Sequence, residues 1–225
     1  MNHFYVTGTD TGIGKTLAST VLLHALRGRG LRAVGMKPVA SGCVDAGDGL
    51  RNEDALALLA ASDPRPDYAD LNPYALPQPL APEIAAREAG IEVGLEKIVA
   101  AFERLQASAD AVVVEGVGGW AAPLATTLDQ ADMVRALRLP VILVVGMRLG
   151  CLSHARLTAR AILDDGCELA GWIANHVDAD MQRQDENFEL LTARMPVPCW
   201  GRIPYSPGLA AEALSNWLQI VPVPA

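Results

Sequence analysis

Short apolar runs alternate along the chain with stretches whose apolar positions recur every three or four residues. That alternation is the pattern of βαβ units and predicts an α/β fold, a mainly parallel sheet with helices on both faces. Strands are expected in FYVT from Phe4, RAVGM from Arg32, AVVVE from Ala111, VILVV from Val141, AGWIAN from Ala170 and PCWGRI from Pro198. The runs around Val112 and Val141 are apolar at both alternating positions, as strands covered on both faces are. Helices are expected over 15–27, which stops before Gly28, and over 95–106, apolar at Leu95, Ile98, Val99, Phe102 and Leu105. Two more are expected over 153–163, with Ser153 as N-cap, and over 189–194.

Residues 62–82 (SDPRPDYADLNPYALPQPLAP) contain six prolines, which argue against a helix or a central strand. Two tyrosines and three leucines give the segment something to bury, so it is expected to be an ordered surface loop rimming a site. No internal repeat is evident, and 225 residues fit one domain. Composition changes this picture little. Hydrophobic residues make up 51%, enough for a substantial core. A net charge of −8 argues against a general nucleic-acid binder, and no 18-residue apolar stretch offers a membrane span. The first residues do not read as a signal peptide, since polar residues interrupt the apolar run from Thr7 to Asp10. Cys43, Cys151, Cys167 and Cys199 lack the close pairing of zinc sites and suit small core positions in a reducing cytoplasm.

The candidate chemistry begins with TGTDTGIGKT at positions 7–16. The common phosphate loop has four residues between its first glycine and Gly-Lys-Ser/Thr; here five separate Gly8 from Gly14. An apolar strand before the loop and a helix starting at Gly14-Lys15-Thr16 keep the reading specific. Helix N-terminal N–H groups and the helix dipole favour a bound anion. Lys15 is expected at the β and γ phosphates and the Thr16 hydroxyl on Mg²⁺.

Mg²⁺ takes oxygen ligands and usually needs one or two carboxylates. Glu115 ends AVVVE ahead of Gly116, Gly118 and Gly119, where a parallel strand delivers ligands to the crevice. Asp54, in LRNEDALAL, is the second candidate; a first-turn helix residue favoured by the dipole explains it equally well. Lys37, in VGMKPVASGC, stands at a strand end, where a lysine is ordinarily just solvated.

Together TGTDTGIGKT, KPVASG, LRNEDALAL, VVVEGVGGW, LPVILVVGMRLGCLSHA and LAGWIAN resemble the dethiobiotin synthetases, from Phe4 to about Ile203. That family is a single-domain α/β homodimer that turns 7,8-diaminononanoate, CO₂ and ATP into dethiobiotin, ADP and phosphate. The resemblance implies that Lys37 and Lys15 are catalytic and that Thr16, Asp54 and Glu115 hold Mg²⁺. It implies nucleotide contacts at Gly12, Ile13, Gly14, Leu17, Gly116, Val117, Gly118, Asn175, His176, Pro204 and Tyr205, Asn175 reading the adenine with its carboxamide. Substrate contacts are implied at Thr11, Ser41, Gly118, Gly150, Cys151 and Ser153, the last three serving the neighbouring subunit's site. Gly12 stands where some relatives carry glutamate, and Ser153 where some carry asparagine. The two lysines are expected to keep a substrate amine neutral by disfavouring a third positive charge. The rival reading is an ATPase switch of the partition or cluster-carrier type acting on a protein partner. Its signature lysine would fall at Asp10, which speaks against it.

Overall fold

The computed structural model describes residues 2–221. Its central sheet is built from β1 (Phe4–Gly8), β2 (Ala33–Met36), β3 (Ala111–Glu115), β4 (Val141–Met147), β5 (Leu169–His176) and β6 (Cys199–Ile203). All six run parallel, in the order β6-β5-β4-β1-β3-β2. The six expected strands are all present. In β1, β3 and β4 every residue is buried, so successive side chains feed two separate cores.

The helices of eight residues or more are α1 (Lys15–Arg27), α2 (Glu53–Ala61), α3 (Pro82–Ala89), α4 (Leu95–Ser108), α5 (Gln130–Leu137), α6 (Cys151–Asp164) and α7 (Gln184–Thr192). On one face, Phe4, Val6, Val113 and Val144 pack with Val21 and Leu22 of α1 and Leu58 of α2. On the other, Tyr5, Val112, Val114 and Leu143 pack with Phe102 of α4, Val134 of α5 and Ile162 of α6. None of these helices is long and apolar enough to cross a membrane.

Three expectations shift. The helix expected from Ser153 begins at Cys151, because Gly150 adopts the left-handed conformation (φ 96°) that caps it; Ser153 is an interior first-turn residue. The helix expected over 189–194 starts earlier, at Gln184. Residues 62–82 are ordered, yet Tyr68–Leu71 form one helical turn and Tyr74–Ala75 pair in parallel with Val39–Ala40. Proline excludes neither, since the turn falls between Pro66 and Pro73, and Pro82 occupies the first turn of α3, where its missing N–H costs nothing.

Candidate active site

Every strand of the sheet points its C-terminal end the same way, and the candidate residues collect along that edge. Gly8 closes β1, and the Thr9 N–H is pinned to the Val144 carbonyl of β4 (3.1 Å). The chain then loops to Gly14, the left-handed cap of α1 (φ 77°). A side chain on Gly14 would run into the Asn175 carboxamide, so both conformation and space demand glycine. The first turn of α1 carries no acidic residue, leaving the positive end of its dipole unopposed.

Behind this loop four charged groups converge. The Lys37 Nζ donates to Glu115 Oε1 (2.6 Å), Asp54 Oδ2 (2.9 Å) and the Gly116 carbonyl (3.1 Å). All three of its protons are used. Thr16 Oγ1 donates to the same Glu115 Oε1 (2.9 Å). Lys15 Nζ donates to the Asp10 carbonyl (2.9 Å), so it holds no carboxylate directly. Glu115 and Lys37 are buried, whereas the Asp54 side chain, on the second residue of α2, is 44% exposed toward the cleft.

Electrostatics separate the two lysines. Burial, reinforced by the Lys37 charge, lowers the Lys15 ammonium to about 8. Burial acts on Lys37 in the same sense, but the Glu115 and Asp54 carboxylates outweigh it and raise the ammonium above its ordinary value. Asp54 is held below its usual range because the Lys37 charge overrides its desolvation. The cluster therefore contains two ammoniums and two carboxylates. The two lysines expected to keep a substrate amine neutral thus sit beside two carboxylates, both of which face Lys37.

The donor set tests whether Mg²⁺ fits. Thr16, Asp54 and Glu115 offer only hard oxygens, and the buried Oε2 of Glu115 has no hydrogen-bond partner among the described residues. Among those residues no group of three or more His, Cys, Asp or Glu could hold a metal ion alone. Further ligands would have to be phosphate oxygens and water, as Mg²⁺ prefers. The residues fit.

In front of the cluster lies a cleft of ≈ 850 Å³. Thr11, Gly12, Gly14, Lys15 and Thr16 form one wall, Lys37, Ser41 and Asp54 the floor, and Val117 and Gly118 the far wall; residues 79–82 close the rim. The other expected residues lie around it. Ile13 and Leu17 pack into the core beneath α1, and Glu115 lies behind the floor. Asn175 Nδ2 donates to the Ile13 carbonyl (2.8 Å), leaving its buried Oδ1 without a partner among the described residues. His176 Nε2 accepts from Arg202 Nε (2.7 Å); burial and that guanidinium lower its pKa and keep the ring neutral. Pro204 and the half-exposed Tyr205 follow β6.

Gly150, Cys151 and Ser153 are not brought into this cleft. They form the head of α6, with the Cys151 thiol in the core and Ser153 on a separate groove of ≈ 420 Å³ beside Arg156 and Leu157.

Sequence reasoning missed the supports. The Asn52 carboxamide caps α2 through the Ala55 N–H and donates to the Ser41 carbonyl (3.2 Å). Asn72 Nδ2 donates to the Lys37 carbonyl (2.7 Å), while the Lys37 N–H donates to Leu71 (2.7 Å), so the proline-rich segment fixes the lysine's backbone. An Asn directly ahead of Glu53-Asp54 was a readable cap signal; Asn72 gave none.

A family model described as an AAA domain matches residues 2–213. The chain is 66% identical over 222 residues to an ATP-dependent dethiobiotin synthetase BioD of Xanthomonas euvesicatoria pv. vesicatoria, covering 98% of this chain and 99% of that one. It is 64% identical over 207 residues to the protein of that name from Xylella fastidiosa, covering 92% of each. Among solved structures, its fold resembles the MinC:MinD cell division complex of Aquifex aeolicus (TM-score 0.57, 15% identity, 96% of this chain and 86% of that one). It also resembles the signal recognition particle receptor FtsY of Elizabethkingia anophelis in complex with GDP (TM-score 0.52, 14% identity, 98% and 60%). At such identities those two speak for fold alone. With 66% identity over nearly its whole length to such a synthetase, and a phosphate loop facing paired carboxylates, the chain belongs to the ATP-dependent dethiobiotin synthetase family.

Proposed function

We propose that this cleft performs the family's reaction, the ATP- and Mg²⁺-dependent carboxylation and ring closure of 7,8-diaminononanoate to dethiobiotin, ADP and phosphate, a step of biotin biosynthesis. The observation that supports it is the meeting of a phosphate loop, two lysines, two carboxylates and a glycine-rich wall on one cleft. In this reading Lys15 and the N–H groups at the head of α1 receive the phosphates. Thr16, Asp54 and Glu115 hold Mg²⁺, which when bound supplies charge compensation to the transferring phosphoryl group.

A neutral substrate amine attacks CO₂, forming a C–N bond and, on losing its proton, a carbamate. Lys37 faces that anion once its carboxylates are engaged elsewhere, so the charge that sits neutralised in the free enzyme becomes available to the reacting group. A carbamate oxygen takes the γ-phosphoryl group and releases ADP. The second amine then attacks the activated carbonyl, phosphate leaves and the urea ring closes. That closure is intramolecular, so orientation by Thr11, Ser41 and residues 116–118 replaces a nucleophilic side chain. Asn175, with Oδ1 as its free acceptor, reads the adenine amine beside Pro204 and Tyr205.

The reading includes a homodimer in which Gly150, Cys151 and Ser153 serve the partner's cleft. The exposed Leu149 and Leu157 (92% and 61%) at the head and outer face of α6 support a contact there. Light scattering at working concentrations checks it, and a monomer speaks against the shared site. The four free cysteines support a cytoplasmic setting. Incubation with ATP, Mg²⁺, bicarbonate and the diamine tests the whole. A cyclic urea with diamine-dependent ADP release is expected; ADP release indifferent to the diamine overturns it.

A further inference from the structure

One buried carboxamide outside the expected site organises the cleft's far wall. Gln130, the first residue of α5, is fully buried. Its Oε1 accepts from the Tyr5 hydroxyl (2.6 Å) and the Val117 N–H (3.0 Å). Its Nε2 donates to the carbonyls of Gly119 (2.6 Å) and Trp120 (3.0 Å). Two donors and two acceptors meet the full capacity of one carboxamide. The partners also fix its orientation, because a flipped amide would set oxygen against two carbonyls.

The wall that Gln130 grips lies beside the phosphate loop on its other side. A side chain at Gly119 would touch the Gly8 and Thr9 carbonyls (3.7 and 3.8 Å). One at Gly116 would strike both Gln130 Oε1 and the Tyr5 hydroxyl. Tyr5 lies on β1, the strand that delivers the phosphate loop. One carboxamide thus ties the substrate wall to the strand carrying the phosphates.

We infer that Gln130, buttressed by Tyr5, is a positioning residue that sets the diamine-binding wall against the phosphate loop. The inference rests on the dethiobiotin-forming reading. Its job is to hold the second amine over the activated carbonyl until the ring closes. When the wall slackens, water competes: its oxygen attacks the carbonyl carbon, phosphate leaves, and the carbamic acid reverts to amine and CO₂. The net result is ATP hydrolysis without product.

The test compares Gln130→Met and Tyr5→Phe with the wild type, measuring ADP and dethiobiotin in one assay, diamine kinetics and nucleotide affinity. Gln130→Met is expected to lower kcat/KM for the diamine by about 10²-fold, the scale of a small misplacement of reacting groups. ADP formed per dethiobiotin should rise above the wild-type ratio, with ATP affinity within about twofold. Tyr5→Phe removes one donor and keeps the ring, so it should move the same ratio in the same direction, by about threefold to tenfold in kcat/KM, the scale of a single hydrogen bond. Loss of ATP affinity in step with turnover marks Gln130 as merely structural and overturns the proposal, as does an unchanged ratio in Tyr5→Phe, which decides the matter should Gln130→Met not fold. A wild type that forms no cyclic urea defeats the functional reading itself, a distinct outcome.

Discussion

Lys15 and Lys37 are both buried at the same edge of the sheet, yet their surroundings make them different reagents. Lys37 spends its three protons on Glu115, Asp54 and the Gly116 carbonyl. Lys15 has one backbone carbonyl and no carboxylate in contact. Their ammoniums are displaced in opposite directions, Lys37 upward and Lys15 down to about 8. A buried cation without a counter-ion is an anion site awaiting its ligand; a buried cation between two carboxylates is neutralised until something removes them. The first property suits capture of phosphate. In the proposed reading, the second suits a charge that would come into play if Asp54 and Glu115 held a metal.

The sharpest way to break this contrast is to remove each lysine in turn. Lys37→Met leaves the buried Glu115 without its ionic partner, and such a loss typically costs about 3–5 kcal/mol. Turnover should also fall by about 10² or more, the scale of losing an electrostatic donor. Lys15→Met removes a cation with no carboxylate in contact, so stability should hold or improve while nucleotide binding collapses. Urea denaturation without nucleotide measures both variants, and equal destabilisation would abolish the distinction.

Thr16→Val probes the carboxylate side. The hydroxyl meets Glu115 Oε1, so its loss should weaken Mg²⁺–ATP binding about tenfold or more, as removal of a group tuning a metal site does. Affinity for metal-free ATP should change little. Calorimetric titration with and without Mg²⁺ distinguishes the two, and equal Mg²⁺–ATP affinity contradicts the metal assignment.

How much of this arrangement was legible in the sequence follows from the range of each interaction. Strands β3 and β4 announce themselves because they are apolar on both alternations, and the phosphate loop because glycine spacing and the following helix are local. Lys37, Asp54 and Glu115 were readable as strand-end or helix-start residues, but their mutual contact was not, since Glu115 lies 78 positions from Lys37. Helices α3 and α5 have eight residues each, too few turns for a clear apolar period, although Asp129 and Asp132 form a capping box at α5. Gln130 was invisible for the same reason as the lysine cluster: Tyr5 is 125 residues away. Residues 62–82 misled because proline rules speak of long helices and central strands, whereas here one turn and two paired residues suffice.

A subtler prediction concerns the Lys15 ammonium in metal-free, nucleotide-free protein. Its folded pKa of about 8 lies below the unfolded 10.5. Between those values the unfolded chain binds more protons than the folded one, so this group makes stability rise as pH climbs from about 8 to 10.5. Buried thiols such as Cys151, raised by desolvation, act oppositely in that range. The informative quantity is therefore the wild type minus Lys15→Met. That difference should shift toward the wild type on going alkaline, and a flat difference would mean that Lys15 is not depressed.

The smallest effect belongs to the Arg148–Asp10 pair, which ties the phosphate loop to the chain before α6 (2.6 Å). Asp10 touches Lys15 through its carbonyl, whereas its carboxylate meets Arg148 and the Thr11 N–H. The main cause of its lowered pKa is the Thr11 hydrogen bond, ahead of Arg148. Removing the arginine therefore leaves the carboxylate ionised and the loop still bonded to itself. Both side chains are substantially exposed, at 40% and 51%, where ion pairs contribute about 0–1 kcal/mol and salt screens them. Arg148→Ala should accordingly cost less than about 1 kcal/mol, a deficit that vanishes in 1 M salt. A loss of several kcal/mol that persists in salt would mean that the cradle around Lys15 is held from outside by this pair. Lys15 would then depend on a charged partner after all, as Lys37 does.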